Sequence, residues 1–558
     1  MKRFNWHILP PLPDNSPLRN TGLPSLMAQL LYNRGILEPS EVEPFLKADD
    51  RLLNDPWLLP DMVRATSRIY QALLSSEKIT IYGDFDADGL TGTAILVKGL
   101  SELGANVTPY IPERLKDGHG LTYEVLRELH KSGTTLVISV DCGIGAQSEV
   151  AQAGKDGLDI IITDHHLPIG KLPQALAVID PKRADSEYPF EGLSGAGVAF
   201  KLIQALYHSL GKTLHPTLLE TVALGTIADM VPLTGENRYL VKKGLEQLNT
   251  NPSPGIRELI SQAGLKPGEV GSSEAAWALT PRLNAASRLE DAMLSYRLLF
   301  TDSPDEARRL VSSIEEMNTE RQRLTREALV ASREEVLSYG LTPVLIATSD
   351  KYPPGILGLV ASRLTDEFYR PSVVISVGEE ESRGSCRSIP EFDLMQALSR
   401  TSSLLSRFGG HSQAAGFSLP NENLESFKEA LLNIANEELK GLPILPKIDI
   451  DAEISFKELG STGFKTFESL SPFGIGNPHP VFLTRGVLVG EARPMGNGGK
   501  YLALKLKQSG ITWNGALFDN DISQEIKEGS LYDMVYSIES SYWQGEERLR
   551  LIIKDLEG

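Results

Sequence analysis

Cysteine is nearly absent: the 558 residues include only two, Cys142 and Cys386. That excludes a disulfide framework and a thiolate zinc cage. No apolar run reaches the about 18 residues that a membrane span needs. The N-terminus, Met1-Lys2-Arg3-Phe4-Asn5-Trp6, lacks the hydrophobic stretch of a secretory signal. Basic charge is also short, with 55 Lys+Arg against 73 Asp+Glu and a net charge of −18. The excess of acid excludes a simple basic nucleic-acid coat and attachment to an anionic membrane surface. It leaves open an enzyme that acts on nucleic acid, because bound cations invert the local field. Repeats and low-complexity tails are missing as well. What remains is 41% hydrophobic and 23% charged, the balance of a folded chain. At roughly 150 residues per domain the length predicts three or four domains, in a reducing, cytoplasmic setting with no membrane partner.

The texture changes along the chain. Residues 1–75, rich in Pro and Leu, read as an irregular N-terminal cap with short helical patterns (Leu23–Tyr32, Asp61–Leu74). From Ile79, β-rich runs (Ile79–Tyr82, Leu136–Val140, Asp159–Ile162) alternate with helical stretches (Thr91–Leu103, Gln147–Ala153). This is the pattern of a parallel α/β sheet buried on both faces. A mainly helical stretch runs from about Gly195 to Leu299. Ser303-Pro304-Asp305-Glu306 then offers an N-cap, a proline at the first helical position and the acid of a capping box. It predicts a long connecting helix to Tyr339-Gly340. A second α/β segment starts at Val344-Leu345-Ile346. After Leu442-Pro443 and Pro446, short strands (Tyr501–Lys507, Ile511–Phe518, Leu531–Ile538, Arg548–Ile553) predict a small β-barrel.

The most informative segment is Tyr82-Gly83-Asp84-Phe85-Asp86-Ala87-Asp88-Gly89, directly after a β-run. Three acids at alternate positions repel one another unless hard cations share them. An EF-hand loop fails as a reading, because Ile95 stands where its bidentate Glu belongs and a strand precedes it. A solvated acidic turn is the plain alternative. It loses weight because Asp141, and then Asp164-His165-His166, follow the next two β-runs. Ends of parallel strands converge on one crevice. Asp229, in the apolar segment Gly225–Pro232, reads alone as a helix cap. Taken with the others, five carboxylates and an imidazole suit two cations bridged by a shared carboxylate, the arrangement that clamps a phosphoryl transfer. So many oxygen donors favour Mn²⁺ or Mg²⁺, and the imidazole leans toward Mn²⁺.

Gly83–Gly89, Asp141, Asp164-His165-His166 and Asp229 resemble the four motifs of the DHH phosphoesterases. Leu193–Lys201, Pro281–Leu289, Gly409–Gly416 and Ser471–Pro478 narrow the resemblance to the RecJ family of single-stranded-DNA-specific exonucleases. It covers the chain from about Arg34 onward. Asp180-Pro181, Ser287 and Tyr352-Pro353-Pro354-Gly355 depart from the family pattern without removing a metal ligand.

The resemblance implies an α/β fold with two α/β domains, of DHH and DHHA1 type, joined by a long helix, and a C-terminal OB-type barrel. The expected divisions are 1–75 (cap), 76–300 (DHH), 301–340 (helix), 341–442 (DHHA1) and 443–558 (OB). It implies two divalent cations. Asp86 and Asp141 would hold one, with Asp84 beside it; Asp88, Asp141, His165 and Asp229 would hold the other. His166 would lie by the scissile phosphate, with Asp141 and Asp164 also in the catalytic set.

Candidate substrate contacts are Arg282 and Arg288 around Asn284, the hydroxyl- and Arg-rich loop with Ser385, Arg387 and Ser388, then His411, and Trp543 as a stacking residue. Arginine is preferred for planar phosphate recognition. Phe518 is expected in the barrel core, and Cys142 as a small buried residue. Gly195-Ala196-Gly197 is set aside as an incomplete dinucleotide fingerprint. The expected activity is hydrolysis of single-stranded DNA, 5′-to-3′, to mononucleotides, in repair and recombination. A single-strand-binding protein and a helicase are the partners the family implies. The rivals are a small-substrate phosphodiesterase, which has no use for the barrel, and a silent replication scaffold, which has no use for intact ligands.

Overall fold

The computed structural model describes residues 3–113, 118, 120–289, 291–462, 464–496, 501–519, 523, 526–543 and 546–558. The chain divides into two units, one of Trp6–Glu315 with Ile448–Gly558, the other of Arg3–Asn5 with Glu316–Lys447. Among the described residues no helix is long and apolar enough to cross a membrane.

The first unit is built on five parallel strands, β1 (Lys78–Gly83), β2 (Asn106–Tyr110), β3 (Thr134–Val140), β4 (Asp159–Thr163) and β5 (Ala177–Ile179), in the order β2-β1-β3-β4-β5. Alternate residues feed different cores. Ile79, Ile81, Leu136, Ile138, Val140 and Ile161 enter one apolar layer, whereas Tyr82, Val137, Ile160, Ile162 and Val178 enter the other. A strand buried on both faces needs apolar residues at both parities, which is why these runs read as continuous rather than alternating. The chain goes from β1 outward to β2 and then returns to the opposite side as β3. That reversal opens a crevice at the carboxyl ends of β1 and β3. Three helices, α1 (Ala87–Glu102), α2 (Gly195–Ser209) and α3 (Thr217–Ala228), pack together above it.

The N-terminal stretch serves two cores. Helix Met62–Leu74 puts Met62, Ala65, Ile69 and Ala72 into the sheet layer. By contrast Leu18, Met27, Leu30, Leu31 and Phe45 share a core with Phe456, Phe482, Leu504 and Tyr536 of the C-terminal segment. Arg34 fastens that junction, with Nε on Asn477 Oδ1 (2.7 Å) and Nη2 on the Pro478 carbonyl (2.7 Å). Arg238, fully buried on helix Gly235–Thr250, donates to the carbonyls of Phe45 (2.6 Å), Leu470 (2.8 Å) and Ser471 (2.7 Å). Burial, and then the charge of Arg34, push its pKa down to about 9. A buried guanidinium needs such partners on every side.

The C-terminal segment is a closed barrel. Val481–Met495 pairs with Tyr501–Gln508, then Ile511–Leu517, Glu546–Glu557 and Leu531–Trp543 follow, and the last pairs back to Val481–Met495. Its 15-residue first strand is absent from the sequence reading. Register shifts at Thr484/Val487 and Val489/Glu491, around Gly486 and Gly490, break its alternation. Such bulges let a strand bend enough to close a barrel.

The second unit holds a five-stranded sheet in the order Arg407–His411, Ala414–Pro420, Glu381–Arg387, Ser372–Val377, Leu345–Ser349. Helix Pro304–Ser338 crosses the division between the units. The N-cap bond from Glu306 N to Ser303 Oγ is present at 3.4 Å, but the expected capping box is not reciprocal. Glu306 instead accepts from Thr301 Oγ1 (2.7 Å) and Arg297 Nη2 (2.5 Å).

Candidate metal centre

The three strand-end acids share one construction. Asp84 N bonds to Val140 O (3.1 Å), Asp141 N to Thr163 O (3.0 Å), and Asp164 N to Ile179 O (3.1 Å). Each acid thus sits one rung beyond its strand, tied to the last residue of the neighbouring strand. Asp141 adopts a left-handed backbone, φ +61°, a conformation that Asp tolerates better than bulkier residues. The start of α2 closes over it: a Cβ on Gly195 would stand 2.5 Å from Asp141 Cβ.

The loop after β1 turns into α1 through its own acids. Asp86 caps the helix, accepting from Asp88 N (3.0 Å) and Gly89 N (3.1 Å). Asp88, in the first turn, accepts from Gly195 N (2.6 Å) and Ala196 N (3.0 Å) at the start of α2. The positive ends of two helix dipoles therefore face the acids. The Gly195-Ala196-Gly197 run set aside as a false fingerprint has a different task, holding the buried Asp88 carboxylate. A Cβ on Gly225 of α3 would come within 2.8 Å of Asp88 Oδ1, so α3 also approaches closely.

Asp164, buried, accepts from Ile144 N (2.9 Å), His165 N (2.8 Å), His166 N (3.1 Å) and His166 Nδ1 (2.8 Å). Burial lifts its carboxyl, but the hydrogen bond and charge of His166 outweigh that and bring it below the ordinary carboxylate value. The same bond pushes His166 up to about 9. Burial, and then the neighbouring His166, depress His165 to about 3, so its ring is neutral. A neutral imidazole is the form that ligates metal.

Ligand atoms converge in groups within 4.8 Å: Asp84, Asp86 and Asp141; Asp88, His165 and Asp229; Asp141, His165 and His166. His165 Nε2 lies 3.1 Å from Asp141 Oδ1 and 3.4 Å from Asp229 Oδ2. These three atoms are buried and make no hydrogen bond. Burial, and then adjacent acids, lift Asp88 to about 7, Asp229 to about 8, and Asp141 well above the usual range. Buried carboxylates without donors are costly alone and natural around cations. The donor set, rich in oxygen with one neutral imidazole, fits hard divalent ions of the Mn²⁺ or Mg²⁺ kind. Asp141 belongs to two of the groups and stands between the other acids.

The expected substrate contacts fare differently. Arg282 is committed to the protein, bonding Glu315 through Nε (2.6 Å) and Nη2 (3.2 Å) and the Ala278 carbonyl through Nη1 (2.7 Å). A phosphate contact from Arg282 would have to compete with this pair. Asn284 Oδ1 accepts from Ala87 N (2.8 Å) and so braces the acidic loop. Arg288 is partly buried at the end of the same helix.

Ser385 and Arg387 lie on strand Glu381–Arg387 rather than in a loop. Around Gly358, in the first turn of helix Leu357–Phe368, a Cβ would meet Arg387 Nη2 at 3.0 Å and Ser385 Oγ at 3.1 Å. A guanidinium, a hydroxyl and a helix N-terminus are thereby gathered together. Ser388 Oγ is spent on the Phe392 carbonyl (2.8 Å), while His411 is exposed at a strand end.

The Trp543 side chain lies outside the described residues. Phe518, expected in the core, is instead 44% exposed, with the Arg550 guanidinium 5.6 Å from its ring centre and Tyr501 edge-on at 5.4 Å. Cys142 is buried, as expected. Asp180 is buried too, pushed up to about 7 by desolvation, and accepts from Lys182 N (2.7 Å).

Family models match three segments: the DHH family N-terminal domain over 78–226, the DHHA1 domain over 341–440 and the RecJ OB domain over 450–555. The single-stranded-DNA-specific exonuclease RecJ of Bacillus subtilis (strain 168) is 36% identical, over 99% of this chain and 71% of that protein. The protein of the same name from Salmonella typhimurium is 32% identical over 96% of each. The crystal structure of RecJ in complex with Mn²⁺ from Thermus thermophilus superposes with a TM-score of 0.85 at 31% identity. The match covers 100% of this chain and 80% of that one.

Proposed function

The chain belongs to the RecJ family of single-stranded-DNA-specific exonucleases, and on that premise we propose that it hydrolyses phosphodiester bonds of single-stranded DNA from an end, releasing mononucleotides. Two divalent cations, Mn²⁺ or Mg²⁺, complete the site. The observation that carries this reading is the convergence of Asp84, Asp86, Asp88, Asp141, Asp229 and His165 at the switch point of the sheet. Within it, ligand atoms of Asp141, Asp229 and His165 are buried with no hydrogen-bond partner.

Asp84, Asp86 and Asp141 form one binding group, and Asp88, His165 and Asp229 the other, with Asp141 shared. When bound, the cations neutralise the acids, lower the pKa of water and stabilise the charge that develops on the phosphate. The remaining chemistry belongs to the chain. Asp164 is a positioning residue: it fixes both histidine backbones and keeps His166 protonated. A cationic His166, 45% exposed in its side chain, offers its outer ring edge to an anionic phosphate. Ser385 and Arg387 bind a phosphate of the strand, and Ser388, His411 and Arg288 are further contacts in this reading. The barrel binds the strand beyond the cleaved end, with Trp543 among its stacking residues. The 5′-to-3′ polarity, a cytoplasmic role in repair and recombination, and work beside a helicase and a single-strand-binding protein are part of the same proposal.

The test is to incubate the full chain with end-labelled single strand or blunt duplex, in Mn²⁺ or in chelator. Mononucleotides are expected from single strand in Mn²⁺ alone, with duplex degraded far more slowly and folded Asp141→Ala inactive. Equal rates on both substrates, or metal-dependent activity in Asp141→Ala, would defeat the proposal.

A further inference from the structure

An apolar recess of about 330 Å³ adjoins the acidic cluster, walled by Ile227, Met230, Val231, Trp277 and Ile475. Its first wall continues straight from the metal centre, since Ala228 and Met230 flank Asp229 in sequence and both line the recess. Three of its large side chains face water: Trp277 is 77% exposed, Met230 67% and Ile475 49%. Exposed apolar residues gathered in one place mark a binding surface.

The recess is also rigidly built. Leu233 N bonds to Ile475 O (2.7 Å), and Ser272 Oγ to Phe473 O (2.6 Å), so three separate segments are laced together. A Cβ on Gly474 would stand 2.6 Å from Leu233 Cδ1, which shows how closely the segments approach. Trp277 sits in the middle of a π-helical turn, Ala275–Leu279, inserted ahead of helix Thr280–Leu289. Such turns are rare and cluster at functional sites, because the extra residue swings side chains off the regular helical face. The helix that follows carries Asn284, whose amide oxygen holds Ala87 of the acidic loop. One helical run therefore ties the tryptophan to the metal centre.

We propose that Trp277, backed by Met230 and Ile475, is a stacking platform for a nucleobase of the strand whose phosphate lies at the acidic cluster. Aromatic faces stack on any base, so the platform grips single strand without reading sequence. A base inside a duplex has both faces covered, and a terminal base must leave its pair and its stack to lie flat on the platform. The platform thus adds to the preference for single strands. This inference rests on the single-strand reading of the site.

The experiment compares wild type, Trp277→Ala and Trp277→Phe in Mn²⁺-dependent hydrolysis of single strands, including a series with one abasic nucleotide walked along the strand. Trp277→Ala is expected to raise KM about tenfold while kcat stays within about twofold. Trp277→Phe should recover most of the loss. One abasic position should raise KM in wild type and add nothing further in Trp277→Ala. An unchanged KM in Trp277→Ala would overturn the proposal and leave the recess to a protein partner. A drop in kcat and melting temperature that Phe does not rescue would overturn it in favour of a structural role. If wild type itself fails to hydrolyse single strands, the fault lies with the function proposed above and not with Trp277.

Discussion

Replacing Asp141 by asparagine should stabilise the cation-free protein, although it removes a buried residue from the centre of the site. Asp141 is 4% exposed and borders Asp84, Asp86, Asp88 and Asp229, all of which raise its pKa after burial itself. Two like charges about 4 Å apart repel by about 4 kcal/mol at an effective dielectric of 20. Partial protonation of the cluster relieves some of that, so the expected gain is about 1–3 kcal/mol. At about 2–4 °C per kcal/mol for a domain of this class, the melting temperature in chelator should rise by about 2–12 °C. Asparagine tolerates the left-handed backbone at this position, so no strain offsets the gain. In Mn²⁺ at a hundred times its Kd, wild type should gain about 2.7 kcal/mol. The variant, having lost the shared ligand, should gain a small fraction of it. Thermal melts of both proteins in chelator and in Mn²⁺ read all four states. A cation-free variant that melts below wild type, or one that keeps the full Mn²⁺ shift, would refute the reasoning.

Further outcomes follow from the same geometry. Asp88 and Asp229 have folded-state pKa values of about 7 and about 8, raised from 3.8. The folded state therefore holds extra protons between about pH 4 and 8, and cation-free stability should fall as pH rises through that window; Mn²⁺ should flatten the slope in denaturant titrations. Asn284→Ala removes the acceptor for Ala87 N–H, so kcat is expected to drop about tenfold with KM nearly constant; a rise in KM alone would restore the phosphate contact that the sequence suggested. Arg387→Ala should raise KM for single strands about tenfold through loss of a charge-assisted contact. Arg282→Ala should instead lower the melting temperature through its broken pair with Glu315, and steady-state kinetics with melts separate the two.

The strand-end acids of the candidate centre are legible because position and residue type repeat three times, and each repeat stands directly after a β-run. What the sequence hides are partners far away along the chain. Arg282 and Asn284 look alike as phosphate binders until Glu315 and Ala87, 33 and 197 residues distant, appear beside them. Ser382–Ser388 reads as a loop because Gly384 interrupts the strand pattern; in the fold that glycine makes room for the ring of Phe417. Phe518 reads as core because it closes an apolar run; in the fold it lies one residue beyond strand Ile511–Leu517, where it is exposed. The first barrel strand is lost to its own bulges, and the role of Gly195-Ala196 depends on where α2 begins relative to Asp88. Trp277 gives no signal at all, since a π-turn has no sequence pattern that sets it apart from an ordinary helix.

The central claim is that the acidic cluster binds two cations through a shared Asp141. Anomalous diffraction at the manganese edge, from crystals of the full chain soaked in Mn²⁺, tests it directly. Two peaks are expected, one against Asp84, Asp86 and Asp141, the other against Asp88, His165 and Asp229, with Asp141 reaching both. A single peak, or peaks that leave Asp141 uncoordinated, would contradict it.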